Sequence, residues 1–287
     1  MQEDQHVQST EPPRDDLIGL RAAAEQLGVH YMTVYRYVRL GTLPARKVKG
    51  AWQVRLADLW GVASRDEAGP GPGGVQWGPY CAELRDRAVA GDEPGAWSVV
   101  ERARVSGATA EDIHLKLIAP VLAGIGDAWG AGELDIATEH RASGVATRLI
   151  GRLGPSLARR GRKSGTVIIG AAAADHHSIP LAILGDIVRG RGLNVVDLGA
   201  NTPAATFLDT ARAYDNIVAV AIGVGSDDSI ESARHTARLF HNELPGSRVF
   251  IGGSAITDER EARVLGADEY GATALDVALC CVELAAR

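Results

Sequence analysis

The spacing of apolar residues changes three times along this chain, and each spacing predicts a different kind of element. In residues 17–62, apolar positions at helical spacing flank Gly28, and an alternating stretch then surrounds Gly50. This order predicts a helix, a turn, a second helix and a small hairpin, the layout of a winged helix-turn-helix domain. Residues 1–16 are polar and contain two adjacent prolines, so we expect a disordered arm there.

A tract rich in glycine and proline, residues 63–78, predicts a linker after this head. Residues 79–160 then carry apolar positions at three-and-four spacing, which is typical of amphipathic helices. Four such segments favour a four-helix bundle as the simplest packing. The predicted helices cover 80–90, 95–105, 110–129 and 136–153.

In residues 165–287, apolar runs of strand length alternate with helical ones. This alternation predicts a Rossmann-like α/β domain with a parallel sheet covered on both faces, so the fold class is multidomain. The predicted strands are 166–174, 193–198, 217–224, 248–251 and a short fifth at 269–270. The predicted helices are 179–189, 203–213, 228–242, 258–265 and 273–286.

Composition indicates a folded protein. The 287 residues are 46% hydrophobic, enough for several cores. The three cysteines lack metal-ligand spacing, and the neighbours Cys280 and Cys281 lie in an apolar helical run, which indicates core packing. No apolar run reaches the roughly 18 residues of a membrane span, and the polar start differs from a signal peptide. We therefore expect a cytoplasmic protein without a membrane partner.

Charge is distributed unevenly. The chain has a net charge of −6, yet residues 17–56 hold seven Lys or Arg against one acid, Glu25. A basic module of this kind predicts double-stranded DNA as a partner, since cations meet phosphates and the second helix reaches base edges. A solvated helical pair used for protein contacts is the alternative. The candidate DNA-binding residues are Thr33, Tyr35, Arg36, Arg39, Arg46, Lys47 and Lys49.

The head contains Leu-Gly-Val-x-x-x-Thr-Val-x-Arg-Tyr at 27–37, followed by Gly-Thr-Leu-Pro at 41–44. This segment resembles the winged-helix heads of MerR-type regulators and excisionases. The resemblance implies that the head reads DNA.

A candidate metal ligand follows the first predicted strand of the α/β domain. Asp175 and His177 lie where that strand ends, and ligands of open α/β sheets bind at the carboxyl ends of strands. A carboxylate can accept one ring N–H of a nearby histidine and leave the other ring nitrogen to a metal. A loop histidine satisfied by hydrogen bonds is the alternative.

The α/β domain resembles the cobalamin-binding module of methionine synthase and related corrinoid proteins. The pattern Asp-x-His-x-x-Gly, then Ser-x-Leu, then Gly-Gly is matched by Asp175, His177, Gly252 and Gly253. The resemblance implies that His177 is the lower cobalt ligand, tuned by Asp175, and that small residues let the nucleotide tail approach the sheet. Pro180 replaces the glycine, and Gly223-Val224-Gly225 replaces Ser-x-Leu, so Ser226 is the candidate serine.

The bundle contains Trp129, nine intervening residues, and then Glu139-His140. This motif resembles that of light-sensitive, B12-dependent MerR-type repressors of the CarH type. The resemblance implies adenosylcobalamin, with these three side chains at its upper face, and a homo-oligomer, dimer or tetramer, on DNA. Those repressors have a histidine directly after the tryptophan, where this chain has Gly130. The candidate upper ligands are therefore His140, His114 and His176.

The sequence thus predicts a cobalamin-dependent, light-responsive transcriptional repressor. No hydrolase triad or phosphate-binding loop is found, so we expect no enzymatic turnover. A regulator that senses another tetrapyrrole, a bilin or haem, is one alternative, and a corrinoid methyl-carrier protein is the other. The predicted metal ligand is His177, and the predicted cofactor-binding residues are Trp129, Glu139, His140, Asp175, His176, Ser178, Thr202, Gly223, Gly225, Ser226, Gly252 and Gly253.

Overall fold

The computed structural model describes residues 17–27, 31, 34–35, 38, 43–48, 51–56, 58–59 and 75–286. The chain divides into two units, residues 1–71 and 72–287. The predicted arm, linker residues 63–74, and the candidates Thr33, Arg36, Arg39 and Lys49 lie outside the described residues.

The first unit contains β1 (Leu17–Gly19), α1 (Leu20–Leu27), β2 (Ala45–Val48) and β3 (Ala51–Arg55). The strands form an antiparallel sheet in the order β1-β3-β2. The predicted first helix and hairpin are therefore present, whereas β1 was not predicted. The buried residues that join helix and sheet in this part of the chain include Leu20, Ala23, Val34, Leu43, Val54 and Leu59.

The second unit begins with a helical bundle. Its elements are α2 (Trp77–Ala90), α3 (Glu93–Val105), α4 (Ala110–Asp112), a π-helical segment (Ile113–Ile118), α5 (Ala119–Gly130) and α6 (Ile136–Leu157). The end of the predicted linker is wrong, because α2 already begins within it. Pro79 is compatible with this start, since the first turn of a helix leaves its N–H groups without intrahelical partners.

The predicted helix 110–129 is interrupted by the π-helical segment. Pro120 has no N–H to donate to the carbonyl of Lys116 four residues earlier, and such a gap loosens the preceding turn. That carbonyl instead accepts the Cys81 thiol, with 3.5 Å between sulfur and oxygen. The wider turn leaves both Ile113 and His114 fully buried.

The α/β domain follows the predicted alternation. Its elements are β4 (Thr166–Ala171), α7 (Ile179–Gly190), β5 (Asn194–Asp197), α8 (Ala204–Arg212), β6 (Ile217–Gly223), a 3-10 turn (Asp227–Ser229), α9 (Ile230–Glu243), β7 (Arg248–Gly252), α10 (Glu259–Val264), β8 (Glu269–Tyr270) and α11 (Ala274–Ala285). All five strands are parallel, in the order β5-β4-β6-β7-β8. This Rossmann-like order places the topological switch point between β4 and β6, where ligands of such sheets bind.

Two cores cover the two faces of this sheet. On one face, Val167, Ile169 and Phe250 join α7, α11 and the bundle in a single apolar core. On the other face, Ile168, Phe207 and Phe240 lie in the core formed with α8, α9 and α10. Bundle and sheet therefore form one continuous body within the second unit.

The cysteines of α11 agree with the prediction of core packing. Cys281 is fully buried, and this burial raises the pKa of its thiol to about 12, so it stays protonated at neutral pH. Cys280 beside it is partly buried and packs against the same core. None of the helices in the described part of the chain has the length and apolar character of a membrane span.

Candidate functional site

The chain turns sharply after β4, and this turn positions Asp175. The predicted strand to 174 ends at Ala171, because Ala174 has a positive φ of 74° that a strand does not allow. The side-chain oxygen of Asn201 accepts the Ala174 N–H at 2.8 Å, and the Asn201 N–H donates to the Asp175 carbonyl at 2.6 Å. Asn201, which sequence reasoning missed, therefore fixes the loop. Its φ of 53° is one that asparagine tolerates better than most residues. The residue type was therefore the signal that the sequence offered.

Asp175 is a buried carboxylate that orients His177. Its side chain is 1% exposed, whereas the imidazole of His177 is 58% exposed. One carboxylate oxygen accepts the His177 N–H at 3.0 Å and lies 2.7 Å from His177 Nδ1, and the other accepts the Gly225 N–H. An ionised carboxylate only accepts, so Nδ1 carries the ring proton and Nε2 keeps a free lone pair.

The loop after β6 completes this pocket because position 225 is glycine. A Cβ on Gly225 would lie 2.6 Å from His177 Nδ1 and 3.1 Å from an Asp175 carboxylate oxygen. A side chain there would displace the imidazole. The two loops that meet follow β4 and β6, so the site lies at the switch point of the sheet.

The other predicted residues of the α/β domain differ in their roles. Thr202 is 3% exposed, and its hydroxyl bonds to the carbonyls of Leu198 and Gly199 at 3.3 and 3.4 Å. Ser226 is half-buried, and its carbonyl accepts the Ser229 hydroxyl at 2.7 Å. His176 and Ser178 are exposed beside His177.

The glycines of the Gly-Gly pair are explained by packing within the chain. A Cβ on Gly252 would lie 2.2 Å from the Gly271 carbonyl oxygen, and one on Gly253 would lie 2.3 Å from that of Val224. Gly253 also has a φ of 130°, which favours glycine. Close approach of a ligand is therefore not required to account for these two residues. Gly223 is less crowded, with a Leu181 methyl 3.1 Å from its Cβ position.

Contacts between the bundle and α7 fix how far the bundle extends. The Glu111 carboxylate binds Arg191 at 2.6 and 2.9 Å, and His114 Nε2 lies 3.1 Å from an Asp186 carboxylate oxygen. The chain from α4 to α5 is thus antiparallel to α7. Trp129 lies about 20 Å along the helix from His114. The start of α7 at Ile179 lies only about 10 Å from Asp186. Trp129 therefore lies about 10 Å beyond the start of α7.

Helix α6 extends beyond α7 by a similar distance. A Cβ on Gly154 would lie 2.7 Å from Asp186, and one on Gly190 would lie 3.3 Å from the Leu157 carbonyl, so α6 and α7 run in the same direction. His140 is about 21 Å from Gly154 along α6, or about 10 Å past the start of α7 at Ile179. We call this projecting end of α5 and α6, on the side of the His177 loop, the roof.

The roof carries the predicted tryptophan motif. Trp129 and Ile136 are exposed large apolar residues, with 48% and 56% of their surface accessible. The Glu139 carboxylate accepts the Ser143 hydroxyl at 2.6 Å, and His140 Nδ1 lies 2.8 Å from the Ile136 carbonyl. A carbonyl only accepts, so Nδ1 of His140 carries a ring proton, on a side chain that is 69% exposed.

Asp135 anchors the start of α6 below these residues. Its carboxylate accepts the Thr138 N–H at 2.7 Å as the helix N-cap. This backbone N–H, above other causes, lowers the pKa of Asp135 from its usual value. The ionised carboxylate of Asp135 therefore stabilises the first turn of α6.

His114 is not available as an upper ligand. Its side chain is fully buried, and both ring nitrogens have partners, Nδ1 with the Ala110 carbonyl at 2.9 Å and Nε2 with Asp186. It joins bundle and sheet instead. Of the three candidates, His140 and His176 remain.

The described residues place limits on any metal held here. Within residues 17–286 as described, no three His, Cys, Asp or Glu side chains lie together as a metal-binding group. A metal on His177 must therefore bring most of its own ligands. A metal carried in a macrocycle would fit this donor set, and His177 is the residue that would hold it.

The described DNA-binding candidates lie on the first unit. Arg46 and Lys47 are exposed on β2, and Lys47 Nζ lies 5.2 Å from the centre of the Trp52 ring. Tyr35 is half-buried and stacks on Tyr31 at 6.5 Å between ring centres, so part of its surface serves the core. Both side chains are exposed, and neither forms an ion pair with a described residue.

Comparisons with known proteins concern the domains that carry these residues. A family described as a B12 binding domain matches residues 165–279, and a second of the same description matches residues 80–153. A family described as a helix-turn-helix domain matches residues 18–59.

Two relatives are corrinoid proteins. Trimethylamine corrinoid protein 1 of Methanosarcina mazei is 24% identical over 200 residues, which are 68% of this chain and 92% of that protein. A corrinoid protein of Desulfitobacterium hafniense is 26% identical over 217 residues, 71% of this chain and 94% of that protein. The crystal structure of the Methanosarcina barkeri monomethylamine corrinoid protein covers 72% of this chain and 98% of its own, with a TM-score of 0.64 and 19% identity. This last likeness concerns the fold. The chain thus combines two B12 binding domains with a helix-turn-helix domain.

Proposed function

We propose that this protein is a cobalamin-dependent transcriptional repressor of the CarH type. One observation carries the proposal: a buried carboxylate fixes the tautomer of the exposed His177 imidazole, at the switch point of a sheet that matches a B12 binding domain. The helix-turn-helix match at residues 18–59 gives the same chain a means to read DNA. The protein binds and responds, and performs no turnover.

In this proposal each site residue has a defined task. His177 Nε2 is the lower ligand of cobalt, and Asp175 keeps its ring proton on Nδ1 and raises the basicity of Nε2. Gly225 leaves room for that ring. Trp129 and Glu139 border the upper face, where adenosylcobalamin would supply a cobalt–carbon bond that light cleaves.

His140 would be the roof residue that takes the place of the histidine missing at position 130. Its Nδ1 is engaged with the Ile136 carbonyl, so Nε2 is the donor that remains on the roof. His176 is the competing candidate, but it follows Asp175 directly, in the same loop after β4 as His177. Gly130 explains why another donor is needed, since it has no side chain to ligate.

Ligand binding would change DNA binding through assembly. A dimer or tetramer places several heads on one duplex, and linked weak sites gain avidity. Binding at the site shifts assembly only if the two states differ in affinity for the cofactor. The contacts of the roof with the bound cofactor provide such a difference.

A spectrum tests the proposal directly. Purified protein is mixed with adenosylcobalamin in the dark, its absorbance is recorded, and the sample is exposed to green light while a gel shift is run on its promoter DNA. We expect a bound spectrum, a spectral change on illumination and release of DNA. His177→Ala should lose the bound spectrum, whereas His176→Ala, at the exposed neighbour, should keep it. An unchanged spectrum and gel shift under light would remove the photoreceptor function.

The carrier function is the second candidate, because relatives that match 68% of this chain are named trimethylamine corrinoid proteins. These matches leave the basic first unit unexplained. Salt-dependent DNA binding separates the two, since released counterions give a steep salt slope to a DNA-binding protein. Failure to bind DNA would favour the carrier. A bilin or haem regulator would be recognised by the mass and spectrum of the pigment retained after purification.

A further inference from the structure

The loop between α6 and β4 concentrates positive charge on a rigid frame. Residues 159–163 are Arg-Arg-Gly-Arg-Lys, and we call them the basic loop. The Arg159 N–H donates to the Arg189 carbonyl at 3.3 Å, and the Ser164 N–H donates to the Gly192 carbonyl at 3.2 Å, so both ends of the loop are fixed. Gly161 turns the chain with a φ of 105°. All five residues are exposed.

The cations of the basic loop have no carboxylate partner in the described part of the chain. Lys163 Nζ donates to the Arg159 carbonyl, and the three arginines form no ion pair there. The neighbouring turn is different, because Arg189 pairs with Asp186 and Arg191 with Glu111. One acid, Asp215, lies on the adjoining loop, which is bonded to Ser164 through Asn216. Four unpaired cations in five positions are thus left on an acidic chain.

The basic loop lies at the opposite end of the sheet from His177. It leads into the amino end of β4, and the His177 loop leaves the carboxyl end of the same six-residue strand. The two loops are therefore about 20 Å apart along the strand direction. A partner at the basic loop would not compete with a ligand at the His177 site.

We propose that the basic loop is a second DNA-binding surface, which holds the phosphate backbone of the duplex without reading its sequence. Arginine predominates in the loop, and its planar fork matches two phosphate oxygens at once. The backbone N–H groups of Arg160 and Lys163 form no hydrogen bond to the described protein and can donate to the same anion. DNA is the favoured polyanion because residues 18–59 match a helix-turn-helix domain.

The test measures the salt dependence of DNA binding by the full-length protein. The probe is a fluorescein-labelled 30-base-pair duplex of random sequence, followed by anisotropy from low to moderate salt. The loop variant is Arg159→Gln with Arg160→Gln and Arg162→Gln. The matched control is Arg104→Gln with Arg238→Gln and Arg260→Gln, three exposed arginines without ion pairs in the described chain. Both variants change the net charge equally.

The expected result is a flatter salt slope for the loop variant alone. Each lost phosphate contact lowers the slope of log K against log salt by about 0.9, so two or three contacts lower it by about 2 to 3. The control variant should keep the wild-type slope. Equal slopes for both variants, with intact binding by the wild type, would overturn this proposal and leave the proposed function standing.

Two further outcomes separate the proposals. Arg46→Gln with Lys47→Gln tests the head. If this double variant loses DNA binding while the loop variant binds DNA like the wild type, only the second surface is overturned. If the loop variant keeps its DNA slope but alters the sedimentation of the protein, the loop contacts a second copy of the chain, and the proposal is wrong. Absence of all DNA binding by the wild type would overturn both proposals.

Discussion

The molecule contains two histidine–aspartate pairs with opposite characters. In the loop after β4, His177 is 58% exposed above a carboxylate that is 1% exposed. Between the π-helical segment and α7, His114 is fully buried, and its partner Asp186 is 11% exposed. The first pair keeps one ring nitrogen free, whereas the second uses both.

This comparison shows how an imidazole that is open to a ligand differs from one that is used within the fold. Both histidines bond to a carboxylate, so this bond alone does not show whether an imidazole is open to a metal. The second ring nitrogen makes the difference: in His114 it lies against a backbone carbonyl inside the core, whereas Nε2 of His177 has no partner in the described part of the chain. Exposure of the imidazole above a buried carboxylate is therefore the useful criterion.

The largest expected effect is on stability, from His114→Ala. Removal of the buried imidazole leaves a cavity and takes away one partner of Asp186, whose other partner is Arg189, and we expect the free energy of unfolding to fall by about 3 kcal/mol. Urea denaturation followed by far-UV circular dichroism measures it. His177→Ala, the matched control, should change stability by less than about 0.5 kcal/mol. Equal losses of stability in the two variants would show that the two pairs do not differ in their contribution to the fold.

The reverse pattern is expected for cofactor binding. His177→Ala removes the only protein donor proposed below cobalt, and we expect a loss of affinity for adenosylcobalamin of about 100-fold or more, since partners of metal ligands alone contribute about 10 to 100-fold. Titration followed by absorbance in the dark measures it. A His177→Ala protein that retains full affinity would refute the ligand assignment.

Asp175→Asn tests whether the buried carboxylate tunes the imidazole. The amide can accept fewer of the three N–H groups that now meet the carboxylate, so the ring loses its fixed tautomer. We expect affinity to fall by about 10 to 100-fold, less than for His177→Ala. Asp186→Asn at the other pair is the control, and it should alter stability but leave the cofactor spectrum unchanged.

Gly225→Ala is expected to have the smallest effect. The new Cβ would lie 2.6 Å from His177 Nδ1, so the imidazole must turn away from its preferred position. A rotation of this kind costs about 1 kcal/mol, or about a fivefold loss of affinity. Gly246→Ala, with no atom within 4 Å of the new Cβ, is the matched control. An unchanged affinity in Gly225→Ala would show that the ring position is not critical.

The sequence predicted the order of elements in the second unit well, because apolar spacing records which face of each element is buried. All four long helical segments and all five parallel strands lie where that spacing placed them, within a few residues. The ends were less predictable. Strand β4 stops at Ala171 although three more alanines follow, since alanine is compatible with both a strand and a turn.

The site was predictable only in part. The Asp175 and His177 pair follows from sequence, because two residues so close in the chain meet on one loop. His114 and Asp186 are 72 positions apart, and only the packing of α7 on the bundle brings them together. For the same reason, Gly252 and Gly253 were interpreted as space for a ligand, while the structure shows carbonyl groups of the chain beside them.

The length of the two roof helices has a final consequence. Their contacts with α7 fix one end, so the clearance above His177 depends on the number of residues that follow, at about 1.5 Å for each. Helices α5 and α6 run in opposite directions, and the nine residues between Trp129 and Glu139 bring both chains to the same height. In the proposed function the bundle would act as a spacer between the roof and His177, and deletion of one helical turn would lower the roof by about 5 Å.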